Sequence, residues 1–108
     1  MTIVDVREYL TVDGRSPFGE WIAAQRDRQA IQAVAARITR MQGGNRGDWK
    51  TVATGVFELR IDSGPGYRVY CGQDGATLVL LLCAGSKRSQ SRDIEHACDY
   101  WKDYQARR

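Results

Sequence analysis

The chain has 108 residues, 43% hydrophobic and 27% charged, with a formal net charge of +3. This is the size of one domain, spanning residues 1–108, and the composition of a soluble globular protein with a single core. No run of five or more like charges argues for a disordered tail, and the mild basic excess permits an acidic partner without demanding one.

The opening Met1-Thr-Ile-Val-Asp-Val-Arg7 lacks the long apolar core of a signal peptide, and no apolar run approaches membrane-spanning length, so a cytoplasmic protein is expected. Residues 3–11 are rich in β-branched side chains and read as a first strand that ends at Asp13-Gly14. Ser16-Pro17 supplies an N-cap and a proline at the first helical position, with Glu20 in the first turn. Phe18, Trp21 and Ile22, then Ile31, Val34, Ala35, Ile38 and Met41, recur at steps of three and four. They make an apolar stripe, interrupted near Gln25–Asp27 into two helices and stopped by Gly43-Gly44. Asn45 to Lys50 reads as a polar loop in which Trp49 covers a core edge, with Arg46 and Lys50 either solvated or available to RNA.

The next stretch organises the rest. Phe57, Leu59 and Ile61 alternate with Glu58, Arg60 and Asp62, the dense turn signal Asp62-Ser-Gly-Pro-Gly66 follows, and Tyr67, Val69 and Cys71 alternate with Arg68 and Tyr70. Pairing Ile61 with Tyr67 sets Arg60 opposite Arg68 and Glu58 opposite Tyr70 on one sheet face. Facing arginines repel unless an anion sits between them; Glu58 is within diagonal reach, and an RNA phosphate would also suit the planar guanidinium. After a turn at Gln73-Asp-Gly75, Thr77 to Cys83 is an apolar strand expected to be covered on both faces. The basic loop Gly85 to Ser91 carries Lys87 and Arg88, with Ser91 as a plausible N-cap and Asp93 in the first helical turn. Ile94, Ala97, Cys98, Trp101 and Tyr104 stripe a C-terminal helix whose tail, Gln105 to Arg108, is expected to fray. The order is β-α(α)-β-β-β-α, an α+β domain with helices packed on a small, mainly antiparallel sheet.

The usual catalytic kits are poorly represented. His96 is the only histidine and sits in the last helix without a nucleophile at motif spacing. There is no G-x-x-x-x-G-K-[ST], no H-E-x-x-H and no paired Cys-His spacing, so no metal, nucleotide cofactor or other small-molecule ligand is expected. Cys71, Cys83 and Cys98 are odd in number and widely spaced, which suits buried free thiols in a reducing compartment. What converges is arginine with tyrosine at hand, a pairing suited to RNA phosphate and base, and RNA carries its own nucleophile in the 2′-hydroxyl.

Gly44-Asn-Arg-Gly-Asp-Trp-Lys50, Gly55-Val-Phe-Glu-Leu-Arg-Ile61, Gly64-Pro-Gly-Tyr-Arg-Val-Tyr70, the leucine-rich strand, Gly85-Ser-Lys87 and Asp93-Ile94…Ala97…Tyr100-Trp101, together with Pro17-Phe18…Trp21, form an ordered set. In this set the chain resembles the phage-derived addiction-module killer proteins, HigB-like members of the RelE/ParE superfamily of toxin–antitoxin systems. The resemblance implies a RelE-like fold and a toxin that enters the ribosomal A site and cleaves mRNA, causing translation inhibition and growth arrest. Its expected partners are the ribosome, mRNA and a cognate antitoxin, typically a helix-turn-helix protein.

By the resemblance, Arg68 matches the arginine that contacts the scissile phosphate. Arg60 matches a phosphate-contacting residue of the preceding strand, and Lys87 or Arg88 the basic residue after the last long strand. Glu58 stands where RelE has a lysine, and Ile94 near a catalytic tyrosine, with Asp93 matching an acidic residue that precedes it in some HigB-like members. Glu58 or Asp93 is then the candidate base and Tyr70 a polar substitute. The expected catalytic set is Arg60, Arg68, Lys87, Glu58 and Asp93; the expected RNA contacts are Lys50, Arg46, Arg88 and Tyr70. The incomplete acid–base set keeps open a ParE-like inhibitor of DNA gyrase without nuclease chemistry, and a protein-binding module whose basic face docks an acidic antitoxin segment.

Overall fold

The alternating hairpin is the middle of a five-stranded sheet. In the computed structural model, which describes residues 3–108, the strands are β1 (Asp5–Glu8), β2 (Trp49–Ala53), β3 (Val56–Ile61), β4 (Tyr67–Asp74) and β5 (Leu78–Ser86). They lie in the order β1-β5-β4-β3-β2, and three helices, α1 (Pro17–Ala24), α2 (Arg28–Gln42) and α3 (Gln90–Arg107), complete an α+β domain. The leader reading begins at Met1 and Thr2, which lie outside the described residues. Among the described residues no helix is long and apolar enough to cross a membrane.

The expected hairpin register holds: Ile61 faces Tyr67, Arg60 faces Arg68 and Glu58 faces Tyr70. Three other expectations are corrected. The first strand is shorter than 3–11 and runs parallel to β5, Asp5 opposite Leu78, so the sheet is mixed. Trp49 and Lys50, expected at the end of a loop, begin a strand that runs to Ala53, paired antiparallel to β3 with a bulge between Thr51 and Ala53. The C-terminal tail stays helical to Arg107, held by ion pairs from Arg107 to Asp103 and Arg108 to Asp74.

Each face of the sheet buries its own cluster. Phe57, Leu59, Ile61 and Val69 pack beneath Phe18 of α1 and Ala30, Val34 and Met41 of α2. Val56, Tyr70, Leu80, Leu82 and Cys83 pack beneath Ala97 and Trp101 of α3. β5 is therefore covered on both sides, as its unbroken apolar run requires. A bulge opposes Tyr70 to Cys83 but Cys71 to Leu81, and it turns both Leu82 and Cys83 toward α3. The helix break falls at Gln25–Asp27: the backbone N–H of Gln25 closes α1 on the Ile22 carbonyl, and Asp27 caps α2 by accepting from the N–H groups of Gln29 and Ala30. All three thiols are free; burial pushes Cys83 up to about 12, with the Asp93 charge adding to it.

At Gly72, α3 lies close against the sheet: a Cβ there would lie 2.2 Å from Cε3 of Trp101. Gly72→Ala must displace the indole and is expected to cost about 1–3 kcal/mol as an overpacked core does. The readout is the urea midpoint; an unchanged midpoint would contradict this seating of α3.

Candidate functional site

Arg60 and Arg68 face each other across β3 and β4, and the charge between them is supplied from within. Glu58 is fully buried. Its Oε2 lies 2.8 Å from Arg60 Nε and 3.4 Å from Arg68 Nε, and its Oε1 accepts a hydrogen bond of 2.8 Å from Gln90 Nε2 at the start of α3. The Arg60 contact is a hydrogen bond, which raises the Arg60 pKa. The Arg68 contact is a looser ion pair that leaves its buried Nε without a hydrogen-bond partner, while Nη1 of Arg68 donates to the Tyr67 carbonyl at 3.4 Å. Glu58 is the internal counterion of two arginines.

Past this carboxylate the guanidinium groups reach the end of the sheet. Arg60, Arg68 and Lys87 line one open cleft of about 380 Å³, walled by the turn at Gly64, Pro65 and Gly66. Gly64 and Gly66 have φ of 54° and 85°, backbone that only glycine adopts without strain. The Lys87 N–H donates to the Gly66 carbonyl at 3.0 Å, which fastens the 3-10 turn Lys87–Ser89 to the hairpin turn and sets Lys87 beside the arginines. Two carboxylates that the sequence reading did not single out, Asp48 and Asp62, line the same cleft.

A third missed residue, Arg37, builds the cleft from behind. Arg37 of α2 donates to the backbone carbonyls of Arg60, Arg46 and Asp48, tying the loop before β2 and the end of β3 to the helix. Burial lowers its pKa, with the Arg40 charge adding to the effect. The signal was present: Ala30, Val34, Arg37 and Met41 follow helical spacing, so a basic residue sits within the buried stripe.

The remaining expected site residues are dispersed. Lys50 faces Glu58 across β2 and β3 and is exposed, but it does not line the cleft. Arg46 is half-buried and off this face: its guanidinium lies 3.9 Å from the Phe57 ring centroid and 4.7 Å from that of Trp49, and it donates to Gln73 Oε1. Arg88 and Asp93 line a neighbouring cleft. The Asp93 carboxylate accepts from Ser89 Oγ; Ser89 rather than Ser91 is the N-cap of α3. Tyr70 is completely buried with an unpartnered hydroxyl, so it offers no ring for a base to stack on. Burial, with the charges of Glu58 and Asp93, pushes the Tyr70 phenol well above its ordinary range. Glu58, sealed from solvent and committed to two hydrogen-bond donors and an ion pair, is corrected from candidate base to structural counterion.

Glu58→Gln keeps the shape and removes the charge, leaving Arg68 facing Arg60 without compensation. Breaking a buried ion pair is expected to cost about 3–5 kcal/mol, whereas Arg60→Ala, at the more exposed partner, should cost about 1 kcal/mol or less. Urea unfolding of the two variants separates these; equal midpoints would mean that Glu58 is not the organising charge.

No protein-family model matches the chain. An uncharacterized protein of Haemophilus influenzae is 48% identical to it over 80 residues, covering 74% of this chain and 81% of the other.

Proposed function

The chain belongs to the family of that Haemophilus influenzae protein, and we propose that it is a RelE-like toxin of a type II toxin–antitoxin system, a ribosome-dependent mRNA endoribonuclease acting in the cytoplasm. The observation that carries this reading is the single open cleft lined by Arg60, Arg68 and Lys87. Three cations on one concave surface suit a phosphodiester, whose charge grows as it passes to a five-coordinate state. The ordered motif set of the killer-protein resemblance points the same way. A small antitoxin, of helix-turn-helix type in HigB-like pairs, would keep the toxin silent by covering the cleft or by blocking access to the ribosome.

Cleavage then needs no metal. The RNA 2′-hydroxyl oxygen attacks the adjacent phosphorus, the bond from phosphorus to the 5′-oxygen breaks, and the products are a 2′,3′-cyclic phosphate and a 5′-hydroxyl. Arg60 and Arg68 hold the phosphate, the Lys87 ammonium protonates the leaving oxygen, and Asp48 or Asp62 accepts the 2′-hydroxyl proton in place of the sealed Glu58.

The burial of Glu58 and Tyr70 is what favours the second reading, a ParE-like inhibitor of DNA gyrase, because neither expected proton carrier faces the cleft. Primer extension on a defined mRNA, with and without programmed ribosomes, separates the two. Ribosome-dependent cuts are expected from the parent. Lys87→Ala, at an exposed residue with no ion pair among the described residues, and the double variant Asp48→Asn, Asp62→Asn should each lower the cutting rate about 10²-fold or more. Intact mRNA together with inhibited supercoiling by purified gyrase would overturn the nuclease reading.

A further inference from the structure

The end of the sheet carries a second cleft, of about 420 Å³, beside the first. Consecutive residues divide between the two: Arg68 and Lys87 line one, Tyr67 and Arg88 the other. Their walls differ in chemistry. The second cleft has an aromatic wall in the half-buried Trp21 of α1, whose ring meets the buried Tyr67 of β4 edge to face, ring centroids 5.7 Å apart. The Tyr67 hydroxyl donates to Asp27 Oδ2 at 3.3 Å, which fixes the ring between the helix break and the sheet. Gln25, the residue that closes α1, brings a side-chain amide with both donors and an acceptor. Arg88 and Arg92, both exposed, add two guanidinium planes with no ion pair among the described residues. At the other end of the molecule, Arg7, Arg107 and Arg108 also line a cleft, but each is paired with an aspartate: Asp5, Asp103 and Asp74.

We propose that the cleft of Trp21, Gln25, Tyr67, Arg88 and Arg92 is a nucleobase subsite, which holds the base of the nucleotide whose 3′-phosphate lies between Arg60, Arg68 and Lys87. The proposal rests on the reading of the first cleft as an RNA phosphate site. The Trp21 indole and the guanidinium planes take a base by stacking, and an amide reads the edge of that base by hydrogen bonds. Neighbouring residues, about 3.8 Å apart at Cα, face the two clefts, so one nucleotide can straddle the strand ends with its phosphate on one side and its base on the other. This subsite gives Trp21 and Gln25, on a helix remote in sequence from the basic residues, a place in substrate selection.

The test is a pair of NMR titrations of the intact chain, one with inorganic phosphate and one with guanosine or uridine 3′-monophosphate. Phosphate is expected to move the signals of the first cleft alone. The nucleotide should also move the Trp21 indole N–H and the Gln25 side-chain amide, and bind about ten-fold tighter or more, as stacking of one base provides. Trp21→Leu should bring nucleotide affinity down to that of phosphate and leave phosphate binding unchanged. Gln25→Ala, which spares the packed indole, should remove part of the same advantage. A nucleotide that binds no tighter than phosphate, or an advantage untouched by both variants, would overturn the base subsite and leave the phosphate cleft standing. Phosphate binding that ignores Lys87→Ala would instead overturn the first cleft.

Discussion

One carboxylate in a sheet interior sets the terms for this molecule. Two arginines opposite each other on a pleated face are a repulsive pair, and Glu58 turns the repulsion into a scaffold by taking a bond from one and an ion pair from the other. A buried ion pair adds little net stability, because desolvation consumes most of its attraction, yet it permits few arrangements of its members. Here it also takes a donor from α3, so the first residue of that helix is bound to the same point as the hairpin. The placement of the Arg60 and Arg68 side chains and of the first residue of α3 follows from that charge.

Chemistry that depends on the cleft therefore draws on groups whose geometry is held from behind. Arg37 fixes the backbone at Arg60, Arg46 and Asp48 by three carbonyl bonds, and Glu58 fixes the side chains in front of it. Neither of these residues is itself presented to a ligand in the cleft. The expectation that each polar residue near the arginines would act on a substrate failed for Glu58 and Tyr70 because the α3 side of the sheet is closed over them.

The features legible in the sequence were those with a local period. Alternation along residues 57–71 fixed the hairpin register and with it the facing arginines; the three-and-four spacing located the helices and their break. Trp49–Ala53 was missed because it is an exposed edge strand, held by a single neighbour, whose sequence carries no alternating apolar face. The parallel pairing of β1 was missed because nothing local encodes a partner that far along the chain. In the site, Arg60, Arg68 and Lys87 were legible as a group. The separation of Lys87 from Arg88 was not, because a 3-10 turn sends adjacent side chains into different clefts. Asp48 and Asp62 read as loop and turn residues until the sheet end brought them together.

The parallel pairing of β1 with β5 has a consequence for how the chain is made. Asp5–Glu8 are made long before Leu78–Leu81 and must wait for them before they gain a strand partner. Glu58 and its arginines likewise wait for Gln90, and the cleft waits for Lys87. Contacts of such long sequence separation form late, after the loop-closure entropy between them has been met. A nascent chain holding only the first two helices and the hairpin thus has neither a closed sheet nor a finished cation cluster. The cation cluster is complete only after Lys87 and Gln90 have been made.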